Sequence, residues 1–440
     1  MDLCSATGGE RILKIPYETA EDKGNCLSLP LNAKNLAGVF IPEESPPLSD
    51  LTENLARAVE NPIGGKKLTE LLAKATKVTI ITENQYRQAP VERILPWLLA
   101  RIRQAGATAS IVIGCGKMAV LSAEAIERKF GREVIDSGVV ICCNDVTKPE
   151  NYVYRGTTSS GVAVWVHRKV AEADTVITIS TTQATLWGYG GSGMIVPGVA
   201  GNNTIEYNHV MSLAPDCLPG NNDCRMQLDK YEAARITGVA MGINVVVNNK
   251  LETTYINAGD FVQAHREAIR AYDKVYRFTA NVFKDRKADI VITGSTASVG
   301  RLFTHTCWSI VNCLPIVKKG GTIIFASPCP GDGKLSGFAL MDFMKPYLPA
   351  TPENHERVLE SFYDKSNGLW TGCVWYKVYE AMLHADVRIV TLPENHVLAR
   401  EIGFTVYNGV EEAYRDALNL HGADARVAFI PYGRYTILQG

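Results

Sequence analysis

The sequence predicts an α/β protein built from two α/β domains with mixed sheets and a ligand cleft between them. Three observations carry this expectation. Short apolar and β-branched runs alternate with segments of helical period along most of the chain, the pattern of strands covered by helices. At 440 residues the chain is too long for one ordinary core, and a boundary near 265 divides it into 1–265 and 266–440. A glycine-dense run at 188–209 follows one of the strands, where open α/β sheets bind their ligands.

The first 75 residues, rich in Pro, Gly and charge, read as a small strand-bearing lead-in. Val-Thr-Ile-Ile-Thr at 78–82 reads as a strand, and Pro90 suits the start of a helix over 90–104 because its ring fixes a helical φ. A strand at 109–114 and a helix at Ser122–Phe130 follow, then strands near 139–142, 153–154, 162–167 and 175–180. The last of these empties into the glycine run, which passes through Pro197-Gly198 into a short helical pattern ending at His209. Residues 227–240 read as a helix and 243–248 and 253–257 as strands. A long helix over 260–280, with Asp260 as its cap, bridges the two domains. The second domain opens on the strand Asp289–Thr293. Its further strands fall near 322–326, 387–391 and 426–430, and its helices near 302–314, 353–364 and 373–384. Pro346, Pro349 and Pro352 mark a loop.

Composition narrows the function. Lys+Arg 45 against Asp+Glu 46 leaves a net charge of −1 with no basic block, so nucleic-acid binding has no electrostatic support. No apolar run reaches membrane-spanning length, and Met1-Asp2-Leu3-Cys4 begins no secretory core. The 11 cysteines are odd in number, scattered and without a C-x-x-C pair, which fits a reducing, cytoplasmic setting. Adjacent Cys142 and Cys143 read as strand packing. Cys217 and Cys224 flank a turn-rich loop with no histidine or second thiol pair to complete a metal site.

Gly188, Gly190, Gly191, Ser192, Gly193 and Met194 form the candidate cofactor loop. Glycines this dense are costly to order, and the usual return is close approach of backbone N–H groups to a phosphorylated ligand. The loop alone is equally compatible with a plain turn. It is no Walker loop, since no Lys-Ser or Lys-Thr follows, and it is not a clean G-x-G-x-x-G. His209, at the end of the following helical pattern, is the candidate metal ligand, although a single histidine on a helix is more often structural.

The run Pro197-Gly198-Val199-Ala200-Gly201-x-x-Thr204-Ile205-x-x-Asn208-His209 closely resembles the nickel-dependent lactate racemase family. Shared order and spacing extend the resemblance from about 78 to about 415. Upstream lie Arg87-x-x-Pro90, the hairpin from Val153-Tyr154 to Val164, and Glu172-Ala173-Asp174. Downstream lie Lys319-Gly320-Gly321-Thr322-Ile323-Ile324 and Cys329-x-x-Asp332-Gly333. The resemblance implies a nickel-pincer nucleotide, a modified pyridinium mononucleotide that holds nickel through one carbon and two sulfurs. One protein histidine completes the coordination, and that position is His209. It also implies hydride exchange at the α-carbon of a 2-hydroxy acid, with two histidines as alternating acid and base and a lysine tethering the cofactor. Arg87 falls on a residue that meets the substrate or its carboxylate, and Trp375 on a tryptophan beside it.

The departures define this chain. The family's two acid/base histidines are Gly116 and Ala184 here, and the tethering lysine has no counterpart in Gly190-Gly191-Ser192-Gly193-Met194. Asn84 replaces an aspartate, and Ser298 stands where the family has a cationic lysine. General acid–base help is typically worth about 10²–10⁴-fold, so replacement proton donors are required; Tyr189 and Lys117 are the candidates, with Cys115 a further one. His305, after the strand 289–293, reads as structural. The expectation is therefore a cytoplasmic isomerase, a 2-hydroxy acid racemase or epimerase with a non-covalent nickel-pincer nucleotide. Its small-molecule substrate is bulkier or less anionic than lactate, with Arg87, Asn84, Trp375 and Ser298 around it. The alternative is a catalytically silent or differently reacting relative that binds a nucleotide-like cofactor.

Overall fold

The structure, a computed structural model, describes every residue except 1, 2, 8, 20, 44, 192, 298, 334, 340 and 440. It forms two compact units, residues 44–274 and residues 1–43 with 275–440. This division differs from the expected 1–265 and 266–440. The first 43 residues join the C-terminal unit because Leu36–Val39 pairs in parallel with Val427–Ile430, a pairing across nearly the whole chain. The expected boundary at 265 falls inside the helix Gln263–Tyr276.

The 44–274 unit is organised by a mixed sheet in the order Thr253–Gly259, Val239–Val247, Thr175–Thr181, Lys77–Glu83, Thr108–Gly114, Val140–Cys143. All neighbours are parallel except the first pair, which is antiparallel. Every residue of Thr175–Thr181 is buried, as a parallel strand covered on both faces must be. Its core gathers Ile80, Ile111, Ile177 and Ile243 from the sheet with Leu95, Leu98 and Ile102 from the helix Val91–Gln104. Pro90 sits just before that helix, and Ser122 accepts from the Ala125 N–H to cap Ala123–Asp136. Asp260 Oδ1 accepts from Val262 and Gln263 N–H groups at the head of the Gln263–Tyr276 helix, as its capping pattern predicts.

The other unit carries a sheet that is parallel throughout, in the order Thr405–Tyr407, Asp386–Val390, Val317–Ala326, Ala288–Gly294, Val427–Ile430, Leu36–Val39. The lead-in forms a three-stranded antiparallel sheet, Cys4–Thr7, Glu10–Pro16 and Cys26–Asn32. Leu13, Ile15, Leu29 and Leu31 from it share a core with Ile290, Ile324 and Phe429. The single helix expected over 302–314 is two short turns, Phe303–Thr306 and Trp308–Val311, separated at Cys307. Among the described residues no helix is long and apolar enough to cross a membrane.

Candidate functional site

The parallel strands ending at Glu83, Gly114 and Thr181 bring their carboxyl ends to one edge of the sheet, and the site residues of the 44–274 unit grow from there. After Thr181 the chain makes a tight hairpin, Ala184–Thr185 against Gly188–Tyr189, and then the glycine loop. Gly191 and Gly193 hold φ of +116° and +76°, values that cost other residues about 1–2 kcal/mol. Space also demands glycine. A Cβ at Gly191 would lie 2.6 Å from His265 Nε2, and one at Gly193 would lie 2.5 Å from the Ala234 methyl. The N–H groups of Gly188, Gly190 and Met194 donate to the carbonyls of Leu218, Gln183 and Gly191. At these positions the loop is closed by the protein's own atoms, which differs from the expected row of open N–H donors.

His209 lies in the helix Asn202–Val210, whose inward face is Thr204, Ile205, Asn208 and His209. Local bonds fix that face: Thr204 Oγ1 donates to the Ala163 carbonyl at 2.6 Å, and Asn208 Nδ2 donates to Asp229 at 2.7 Å. His209 is 2% exposed. Its Nδ1 lies 2.8 Å from the Ile205 carbonyl, which can only accept, so the proton sits on Nδ1 and the lone pair on Nε2. Burial, with the nearby charges of Lys230 and Lys117 adding to it, pushes its pKa down to about 3, against the opposing pull of the Ile205 carbonyl. The Trp187 ring meets it edge-on at 5.9 Å. A neutral imidazole with a tautomer fixed by a backbone carbonyl is the form that binds a metal. Among the described residues no group of three or more His, Cys, Asp or Glu is placed to hold a metal ion.

Lys117 reaches the same helix. Gly116 N–H donates to the Gly198 carbonyl, while Asn144 Nδ2 donates to the Gly116 and Ala200 carbonyls at 3.2 and 3.1 Å. These bonds staple the loop after Gly114 to the turn before the helix, and Lys117 pairs with Glu206, each about one-fifth exposed. Glu206 stands three residues before His209, one helical turn away. Sequence reasoning missed it, although that spacing was its signal. Cys115 is occupied: its thiol hydrogen-bonds Cys143, which raises Cys115 far above its ordinary range and lowers Cys143 to about 7. Cys217 and Cys224 are paired the same way, with Cys224 lowered to about 7 by the bond from Cys217.

The segment from Glu83 to Ala89 holds Arg87 and Asn84. Buried Glu83 accepts from the Thr181 N–H at 2.6 Å, the Thr181 hydroxyl at 2.9 Å and the Ala89 N–H at 3.1 Å. Lys129 donates to the Arg87 carbonyl, and burial lowers the pKa of that lysine. Asn84 Oδ1 accepts from the Tyr86 N–H, an Asx turn that shapes the loop. Arg87 is half-buried at the end of that turn.

Tyr189 is buried, donates its hydroxyl to Asp273 Oδ1 and stacks edge-on with Tyr272. His265 is a further residue that sequence reasoning missed. Its Nε2 donates to the Gly190 carbonyl at 2.6 Å, its Nδ1 meets the Tyr231 hydroxyl at 2.7 Å, and burial lowers its pKa to about 4. Buried Ala184 occupies the hairpin beside Tyr189. Thr82 Oγ1, Thr182 Oγ1 and Asn208 Oδ1 are buried without a hydrogen-bond partner among the described residues.

Trp375 belongs to the other unit. It is wholly buried, set against Phe303 and Phe404, with its indole N–H donated to the Met341 sulfur. His305, in that same unit, sits in the short turn Phe303–Thr306, and its carbonyl accepts from Arg434 Nε at 3.0 Å. Ser298 and Ser192 lie outside the described residues.

Fold and site define an α/β protein that presents a neutral imidazole beside a glycine loop at the carboxyl edge of a largely parallel sheet. Residues 23–217 match the lactate racemase N-terminal domain. The chain is similar to the lactate racemases of Thermoanaerobacterium thermosaccharolyticum and Lactiplantibacillus plantarum, each 24% identical over 97% of this chain and 99% of the relative. The solved lactate racemase apoprotein of Thermoanaerobacterium thermosaccharolyticum shares the fold at a TM-score of 0.86 and 22% identity, covering 98% of this chain and all of that one. A Thermotoga maritima protein shares it at 0.66 and 16% identity over 90% of this chain and 100% of its own. Together these matches support the lactate racemase family for this chain.

Proposed function

We propose that this chain is a racemase or epimerase of a 2-hydroxy acid, with a nickel-pincer nucleotide held non-covalently and His209 as the protein's ligand to nickel. The observation that carries the reading is the His209 tautomer: Nδ1 is committed to the Ile205 carbonyl, which puts the ring's metal-binding lone pair on Nε2. Accepting a hydride from the α-carbon and returning it to either face is the chemistry such a cofactor supplies when bound. The chain's own work is to bind, orient and move a proton. Arg87 clamps the substrate carboxylate. The Lys117–Glu206 pair, one turn from His209, takes over proton handling at the substrate hydroxyl, since Gly116 and Ala184 carry no acid or base. Tyr189, tied to Asp273, is the second donor. Small neutral residues at 116, 184 and 298 favour a substrate bulkier or less anionic than lactate.

The test is protein made alongside the cofactor's biosynthetic enzymes, read by elemental analysis, intact-mass spectrometry and chiral chromatography of a 2-hydroxy acid panel. We expect nickel in the native protein, the plain chain mass after denaturation, and faster racemisation of a larger acid than of lactate. His209→Ala should abolish nickel retention; unchanged nickel content sinks the ligand assignment. The closed N–H groups of the glycine loop favour a second reading, a silent binding protein, which predicts a bound nucleotide without nickel or turnover.

A further inference from the structure

The strands Thr108–Gly114 and Val140–Cys143 lie side by side in parallel, with Ile113 opposite Cys143. One atom draws their ends together. The Ile113 carbonyl accepts from the Cys115 N–H at 3.0 Å and from the Asn144 N–H at 2.9 Å. Cys115 and the peptide that follows Cys143 therefore meet across a single oxygen, and the two thiols are hydrogen-bonded to each other. Cys142 stays out of this contact because successive strand residues face opposite sides of a sheet. Its thiol donates to the Ile111 carbonyl at 3.5 Å.

The two thiols are unequal. Cys115 is 2% exposed, whereas Cys143 keeps part of its surface in solvent. The bond from Cys115 lowers Cys143 to about 7, against the opposing effect of burial, and the Leu121 N–H adds to the lowering. The same bond and then burial raise Cys115, so it keeps its proton. An accessible thiolate beside a protonated second thiol is the arrangement that oxidises selectively and then closes a disulfide. Two comparisons lie in the same unit. Cys142 is also half-buried, but burial pushes it up to about 11. Cys224 is lowered to about 7 by Cys217, but both members of that pair are 0% exposed. Each member of the 115–143 pair also precedes a member of the staple beside Lys117: Asn144 Nδ2, after Cys143, donates to the carbonyl of Gly116, after Cys115, at 3.2 Å.

We propose that Cys115 and Cys143 form a reversible modification site, oxidised by hydrogen peroxide to a disulfide that ties the loop carrying Lys117 to the neighbouring strand. The Cys143 thiolate attacks one peroxide oxygen, the O–O bond breaks, and its electron pair leaves as hydroxide, which takes up the proton the thiol gave to solvent. Cys143 is then a sulfenic acid. The Cys115 sulfur, losing its proton, attacks the Cys143 sulfur; the S–S bond forms as the S–O bond breaks, and the hydroxyl leaves as water. Two thiols have lost two electrons and two protons, and the peroxide has become two waters. The site needs neither nickel nor a 2-hydroxy acid, so it goes beyond the racemase reading.

The experiment treats the purified native chain with a stoichiometric dose of hydrogen peroxide at neutral pH, quenches with N-ethylmaleimide and maps every cysteine by mass spectrometry. Cys143 should lose its free thiol about fivefold or more faster than Cys142. A peptide pair joined through Cys115 and Cys143 should appear, and a thiol reductant should restore both. In Cys115→Ser, Cys143 should react more slowly, with its sulfenic acid trapped by dimedone; in Cys143→Ser, Cys115 should stay reduced. The proposal is overturned if Cys142 or the Cys217–Cys224 pair oxidises first, or if Cys143 passes to sulfinic acid without linking to Cys115. It is equally overturned if both thiols remain alkylatable throughout. The native chain carries the decisive result, so it holds whether or not the variants fold. Nickel content and turnover are not read, so the racemase reading stands or falls separately.

Discussion

Replacing Gly193 with alanine should destabilise the 44–274 unit by roughly 2–4 kcal/mol, and the structure separates two contributions. The residue holds φ +76°, where a side chain costs about 1–2 kcal/mol. The added methyl would lie 2.5 Å from the Ala234 methyl and 3.3 Å from the Phe261 ring, and overpacking of this kind costs about 1–3 kcal/mol. Reduced freedom of the unfolded chain returns about 0.4–1 kcal/mol. Gly138 is the control, because it holds φ +73° with nothing within 4 Å of its would-be Cβ. Gly138→Ala therefore reports backbone strain without crowding and should cost only about 1 kcal/mol. At about 2–4 °C per kcal/mol for a unit of this size, Gly193→Ala should melt roughly 5–15 °C lower and Gly138→Ala about 2–4 °C lower. Equal melting temperatures for the two variants would refute the claim that Gly193 is glycine because a helix presses on it. The open-cradle reading of the loop would then return.

Two further outcomes follow from the buried polar groups. Glu83→Gln disturbs a carboxylate that accepts three hydrogen bonds, two from Thr181 and one from Ala89, and should cost about 2–4 kcal/mol. Thr182→Val removes a hydroxyl with no partner and should change stability by less than about 1 kcal/mol; denaturant midpoints measure both, and a larger loss at Thr182 contradicts its unpartnered state. His265 has its pKa lowered from 6.5 to about 4 by burial, so below pH 6.5 the unfolded chain takes up a proton that the folded chain refuses. Stability is then full above pH 6.5 and falls as pH drops toward 4, by about 1.4 kcal/mol per pH unit for one such group. Urea titrations between pH 7 and 4 should show this slope, reduced by about one proton in His265→Gln; an unchanged slope in that variant would exclude the histidine as its source.

What the sequence discloses is largely what depends on neighbours close in the chain. The strands at 77–83 and 175–181 are legible because a strand buried on both faces must be a continuous β-branched run. Asp260 is legible as a cap because a side-chain oxygen three residues ahead of a helical N–H has one obvious use. The placement of residues 1–43 is not legible, because Leu36–Val39 finds its partner at 427–430 and no local pattern encodes that pairing. The site divides the same way. His209 stands out by its motif and its Nδ1 bond lies within its own helix, but the Glu206 partner of Lys117 and the Gly190 bond of His265 arise only when distant segments meet.

The glycine loop shows how one composition supports two physical accounts. Glycine is required wherever a Cβ would collide, whether the colliding atom belongs to a ligand or to the protein. At Gly191 and Gly193 the colliding atoms are those of His265 and Ala234. The loop's conformation is thus set from below, by helices whose residues are chosen for contact with it. A substrate or cofactor taken up at the loop, as proposed above, would meet a surface already rigid, and rigidity is what lets a few charged side chains orient a small acid without ordering them again. Substitutions in the helices 225–237 and 263–276 should therefore reach the site as strongly as substitutions in the loop itself, although none of these residues belongs to the sequence motif.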